Sequence, residues 1–174
     1  MTPTDMEPGS ARPVLSAVRT VHFRDPEAPV ATVVTPSVFV AVREEQGRLL
    51  LVRRCDSGAW ELPGGRVDVG ESAVAAAVRE TAEETGLRVR ITGLVGLFTD
   101  PAQVVEAAKG GEIRQQFVVC FHGWAVGGRA RPDGHETADA AWFDPGDVEA
   151  LPLEPGARRW IHHALAGASE THLE

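Results

Sequence analysis

From Ser72 to Thr85 the chain runs without glycine or proline, is rich in alanine, and stops at Gly86, while Gly64, Gly65 and Gly70 crowd its upstream side. Such a run, closed by a residue that takes a left-handed turn without penalty, predicts a helix with a defined C-terminal stop. With successive side chains about 100° apart, Glu80, Glu83 and Glu84 share one sector, and Val74, Ala77, Val78 and Thr81 point to the other side. The apolar side is expected to dock on a sheet and the carboxylates to face a groove or solvent. Like charges at i, i+3 and i, i+4 destabilise an isolated helix. Two readings follow: an ordinary solvated acidic face, or a site where hard divalent cations turn the repulsion into affinity. The upstream glycine pair favours the second, because it lets backbone carbonyls approach a ligand closely. Oxygen-only donors suit Mg²⁺ and a pyrophosphate better than a redox or thiol reaction.

The remaining texture is strand-like. Val34 to Val42 is rich in β-branched residues, Glu44-Glu45-Gln46-Gly47 forms a polar turn, and Arg48 to Arg53 centres on Leu50, Leu51 and Val52, which together predict a β-hairpin. A brief strand is expected around Trp60-Glu61-Leu62, then a loop from Pro63 to about Gly70. Arg88 to Phe98 and Ile113 to Val126 read as strands with a loop between them, Ala140 to Phe143 as a last short strand, and Ala157 to Ala166 as a terminal helix. Strands flanking one central helix, with another at the end, predict an α/β fold: a mixed sheet covered by helices.

At 174 residues one domain is expected, and 43% hydrophobic with 24% charged residues is ordinary globular composition. Seventeen basic against twenty-five acidic side chains, a net charge of −8, argues against a nucleic-acid binder. A phosphate ligand would need a few arginines or carboxylate-held cations. Cys55 and Cys120 lack CxxC spacing and sit among strand-like residues, so both are expected to be buried free thiols. No signal-peptide core precedes Val14 and no apolar run is long enough for a bilayer, which predicts a cytoplasmic protein without membrane or nucleic-acid partners. Prolines and glycines mark residues 1–17 as a flexible extension, and residues 18–33 as an arm packing on the domain or on a partner subunit, with a homodimer as a candidate assembly. Residues 34–168 form the domain, and 169–174 a flexible tail.

Gly65, Glu71, Arg79, Glu80, Glu83, Glu84, Gly86 and Leu87 follow the pattern G-x5-E-x7-R-E-U-x-E-E-x-G-U, where U is a bulky aliphatic residue. This segment resembles the Nudix box in full order, with Thr81 at the first U position as its one departure, and Trp60-Glu61-Leu62-Pro63-Gly64-Gly65 also resembles that family. The resemblance implies a Nudix-type α/β/α sandwich with a mixed β-sheet. It implies Mg²⁺-dependent hydrolysis, with Mn²⁺ as an alternative ion, of a nucleoside diphosphate linked to another moiety. Glu80 and Glu84 would then be metal ligands, Glu83 would join them directly or through water, and the Gly64 carbonyl would complete the set. Arg79 with Glu71 would hold loop to helix, contact with substrate being the other reading, and Gly65 and Gly86 would support the box.

Family members often take a further acid from a loop downstream, as metal ligand or as base for the attacking water. Glu136 is the candidate here; Asp133 and Glu112 compete with it, as does the role of an ordinary turn acid. Among Arg53, Arg54, Arg66 and Arg114, the substrate-binding candidates are Arg54 and Arg66, which border the loops leading to the box. Trp60, Phe98 and Trp142 are read as core or as base-stacking residues, and His162 and His163 as surface or packing residues. Pro101 tilts the substrate toward ADP-ribose or nucleotide sugars, with an oxidised-nucleotide triphosphatase as the alternative. A non-catalytic nucleotide sensor on the same fold would be expected to lose box carboxylates, all of which are present.

Overall fold

The computed structural model describes residues 18–108, 110–167 and 170–174. The proposed extension over residues 1–17 lies outside these. Ten strands form one mixed sheet: β1 (Thr20–Phe23), β2 (Val33–Arg43), β3 (Leu49–Arg54), β4 (Trp60–Glu61), β5 (Gly64–Arg66), β6 (Leu87–Phe98), β7 (Gln103–Glu106), β8 (Ile113–Gly128), β9 (Thr137–Phe143) and β10 (His172–Leu173). Helix α1 (Ala73–Thr85) lies between β5 and β6, and α2 (Ala157–Ala166) follows a short 3-10 turn at Val148–Ala150.

β2 explains the layering. Its side chains alternate between two buried faces: Val38, Val40 and Val42 pack with Ala76 and Ala77 of α1, while Phe39 and Ala41 pack with Trp160 and Ile161 of α2. A strand buried on both sides needs no polar alternation, which is why its pattern is weak in sequence. Trp160 fills the α2 side, stacked on Phe39 at 5.2 Å and edge-on to Phe98 at 5.9 Å. The result is the expected α/β/α sandwich.

The hairpin opens almost at once. β2 and β3 pair only at Arg43 and Leu49; β2 then runs parallel to β8 along one edge and takes β5 on the other, while β3 pairs with β9 and β4. This splay separates two parts of the sheet. Three further readings are corrected. Gly64–Arg66 is a strand rather than a loop, Gln103–Glu106 is a strand in the predicted 99–112 loop, and the end of the supposed tail pairs with β6 through His172–Leu173. Within the proposed arm, β1 pairs antiparallel with β7.

α1 begins at Ser72, whose hydroxyl accepts the Ala75 N–H at 3.1 Å, and ends at Gly86 with φ of 70°. Its docked face differs from the predicted one: Val74 and Val78 are 48% and 37% exposed, and Ala76, Ala77, Thr81, Glu84 and Thr85 are buried. Small residues let the helix approach the sheet closely. The Thr81 hydroxyl, the departure from the box, donates to the Ala77 carbonyl at 2.8 Å and so is satisfied where it is buried.

The two cysteines differ. Cys120 is buried in the core, where burial pushes its thiol pKa far up, but Cys55 is exposed, against expectation. A thiol reagent applied to the native protein should therefore modify Cys55 and reach Cys120 only after unfolding, because the thiolate is the reactive species. Rapid modification of both thiols without denaturant would contradict this core. Among the described residues no helix is long and apolar enough to cross a membrane.

Candidate active site

The glycine pair sets the geometry. At Gly64 a Cβ would stand 2.1 Å from the Val38 carbonyl oxygen, and at Gly65 it would stand 2.6 Å from the Glu80 carboxylate. β5 thus lies against the β2 backbone at Gly64, an approach only glycine permits, and against the Glu80 carboxylate at Gly65, where a side chain would push that carboxylate aside.

Glu84 is 2% exposed; one carboxylate oxygen accepts the Gly64 N–H at 2.9 Å and the other accepts from Arg54 Nη1 at 3.3 Å. Burial, and then the neighbouring Glu61, hold its pKa well above the usual carboxylate range, against the opposite pull of the Gly64 N–H and Arg54. Burial also raises Glu80, against the lowering pull of Arg79, with smaller repulsion from Glu83 and Glu136. Glu83 is 59% exposed and meets Arg79 Nη1 at 3.1 Å.

Two guanidiniums organise these acids. Arg79 is bidentate to Glu71 at 2.7 and 2.9 Å, donates to Glu80 at 2.9 Å, and reaches the Arg66 carbonyl at 3.2 Å, which ties loop and β5 to helix. Arg54 is buried, and its donors face Asp56, Glu61, Glu84 and Glu136 at 3.2 to 3.5 Å. Arg54, a substrate-binding candidate in the sequence reading, stands here as counterion to four acids. Arg66 is exposed on β5.

Glu136 shares Arg54 Nη1 with Glu84, at 3.3 Å each, which brings the downstream loop to the box. Its competitors stand elsewhere. One Asp133 carboxylate oxygen accepts the backbone N–H groups of His135, Glu136 and Thr137 and so shapes the loop that carries Glu136; Glu112 lies beside Arg114, 3.9 Å away. Phe98 is core; Trp60 packs edge-on to Phe143 and Trp142 against the α1-side core. His163 stacks on His172 at 3.9 Å, a packing role. Asp100, next to Pro101, is held by Arg24 and Glu174, so that turn does not belong to the acidic centre.

Sequence reasoning misses Arg19, Asp56 and Glu61. Glu61 is 3% exposed, hydrogen-bonded to Arg19 at 2.6 Å, and still raised in pKa by its burial. The only available hint is an acid inside Trp60-Glu61-Leu62, flanked by residues that seek the interior.

Among the described residues no three His, Cys, Asp or Glu side chains already converge at metal-ligand spacing. The donor chemistry nonetheless fits a hard divalent cation: Glu61, Glu80, Glu83, Glu84 and Glu136 surround Arg54 and Arg79 and outnumber them, and a carboxylate oxygen that accepts one hydrogen bond keeps a second lone pair.

Residues 33–164 match the NUDIX domain profile. The chain belongs to the NUDIX family. A Bacillus subtilis (strain 168) protein whose name proposes 8-oxo-dGTP diphosphatase activity is 38% identical over 80% of this chain and 85% of its own length. A NUDIX relative from Methanocaldococcus jannaschii named ADP-ribose pyrophosphatase is 30% identical over 68% of each chain. The fold is shared with a solved ADP-ribose pyrophosphatase of Streptococcus suis, at a TM-score of 0.62 with 24% identity over 80% of this chain and 96% of that one. The MutT protein of Methanosarcina mazei superposes at a TM-score of 0.63, with 22% identity over 82% of this NUDIX chain and 100% of its own.

Proposed function

We propose that this NUDIX hydrolase cuts the diphosphate of a nucleoside diphosphate linked to another moiety, releasing a nucleoside monophosphate and a second phosphate-bearing product, with Mg²⁺ as its ion and Mn²⁺ as a substitute. The observation that carries this reading is Arg54 Nη1 standing 3.3 Å from both Glu84 and Glu136, which joins the buried acid of α1 to an exposed acid on a separate loop. Glu80 and Glu84, with the Gly64 carbonyl and Glu83, are the residues to hold the cation. When bound, such an ion supplies charge neutralisation at the phosphate and acidifies water.

The chain's own groups do the positioning. Arg79 orients Glu80 and Glu83 while clamping Glu71, and the Gly64 N–H orients Glu84. Glu136, whose side chain is 62% exposed, is the group to take the proton of the attacking water, because it alone among the acids on Arg54 is open to solvent. The intact box favours an enzyme over a nucleotide sensor, and a cytoplasmic setting accompanies this reading.

A panel of ADP-ribose, a nucleotide sugar, a dinucleoside polyphosphate and nucleoside triphosphates, each assayed with Mg²⁺ and with Mn²⁺, should yield a nucleoside monophosphate from at least one member. Glu136→Gln should slow that reaction about 10²-fold or more, the ordinary weight of a positioned base, with an unchanged melting curve. Wild-type rates from Glu136→Gln would remove it from the chemistry, and silence across the panel would remove the hydrolase reading.

A further inference from the structure

The loop that carries Glu136 closes the end of α1. A helix leaves its last carbonyls without helical donors, and here the Gly86 N–H takes the Ala82 carbonyl at 2.9 Å. Two more are met from the downstream loop: the Arg131 N–H donates to the Thr85 carbonyl at 2.9 Å, and the Thr137 hydroxyl donates to the Glu84 carbonyl at 3.0 Å. Thr137 is fully buried and follows Glu136 directly, so one residue links the exposed acid of the loop to the backbone of the buried acid of α1.

The register of β9 serves this link. Asp139 pairs with Arg53 but Thr137 with Arg54, so Ala138 is stepped over. Such a bulge re-aims the side chains beside it: Thr137 meets α1 while the Glu136 carboxylate meets Arg54 Nη1. The Glu136 carbonyl accepts the Cys55 N–H at 2.9 Å, which ties the loop to the end of β3 as well. Asp133 braces the turn from within. The oxygen that accepts three backbone N–H groups also lies 3.0 Å from the Thr137 hydroxyl, and the Asp133 N–H donates back to that hydroxyl at 3.1 Å. Burial pushes the Asp133 pKa up, but the hydrogen bonds from Thr137, His135 and Glu136 outweigh it and hold the carboxyl below its usual range.

The Glu136 side chain is 62% exposed and reaches Arg54, so its placement depends on the backbone that carries it. A general base must stand within hydrogen-bond reach of its water, and a misplacement of about 1 Å can cost on the order of 10²-fold in rate. We propose that Thr137, braced by Asp133, is a positioning residue: it registers the Glu136 loop on the C-terminal carbonyls of α1, and so sets the base against the acids of that helix. This rests on the reading of Glu136 as the base.

The test compares kcat and KM, with Mg²⁺, for the member of the nucleotide panel that the wild type hydrolyses. Thr137→Val should lower kcat about tenfold or more and leave KM unchanged, the pattern of a group displaced from its work in the transition state. Thr137→Ser keeps the hydroxyl and Asp133→Asn keeps an acceptor oxygen, so both should retain most of the rate, whereas Asp133→Ala should behave as Thr137→Val does. In a Glu136→Gln background Thr137→Val should cost nothing further, because the group it places is already gone. Amide hydrogen exchange on the full chain should quicken at Glu136 and Thr137 in Thr137→Val. If that variant fails to fold, Asp133→Ala, at a half-buried position, makes the same comparisons. A slow Glu136→Gln enzyme in which Thr137→Val repeats its full loss would overturn the positioning role alone, since a general disturbance of α1 acts in that way. Unchanged exchange at those amides would overturn it too. Wild-type rates from Glu136→Gln, or silence across the panel, would remove the base reading and the positioning role with it.

Discussion

On the proposal that Glu84 holds the cation, Glu84→Gln is expected to lower Mg²⁺-dependent turnover by at least about a hundredfold, since losing a carboxylate ligand exceeds the 10–100-fold typical of groups one layer further out. The fold should survive. A glutamine oxygen still accepts the Gly64 N–H, and the neutral amide relieves the crowding that Glu61 and Glu80 impose on this buried position. Arg54 keeps Asp56, Glu61 and Glu136. The variant should accordingly melt no earlier than wild type; Mg²⁺ is expected to raise the melting temperature of the native protein by mass action, and that rise should shrink or vanish in the variant. Turnover near the wild-type rate, or an undiminished thermal response to Mg²⁺, would remove Glu84 from the ion's ligands.

Sequence reads well where local chemistry decides and poorly where partners do. The bounds of α1 and α2 are legible because Ser72, Gly86 and Gly167 punctuate them without help from the fold. β7 and β10 carry no such signature; four and two residues become strands only because β8 and β6 offer unpaired edges. The docked face of α1 is misread for a related reason. An apolar count favours Val74 and Val78, but a helix pressed against a glycine strand needs small residues at the contact, and the burial of Glu84 depends on Arg54 and Gly64, distant in sequence. The box residues themselves are visible because their spacing is local, whereas Arg19, Asp56 and Glu61 enter the centre only through the splay between β2 and β3.

Arg54→Met should destabilise the protein by about 3–5 kcal/mol, the usual consequence of removing one partner from a buried charge cluster, and lower the melting temperature by on the order of 10 °C for a chain of this size. The methionine fills the aliphatic stem's volume, so lost packing contributes little. What is lost is the cation facing Asp56, Glu61 and Glu84, with Arg19 left to serve Asp56 and Glu61 alone. The deficit should depend on pH with a definite sign. Glu61 has a folded pKa raised above its unfolded value, chiefly by burial, so between the two values the folded chain binds the extra proton and stability falls as pH rises. Removing Arg54 widens that window upward, because a charge that opposes the rise is gone. Urea denaturation should therefore show a larger gap between variant and wild type at about pH 8 than at about pH 5.5, and Glu61→Gln added to Arg54→Met should recover part of the loss. An Arg54→Met protein with wild-type stability and a raised KM would instead make Arg54 a substrate-binding residue, as its place beside the box loop first suggests.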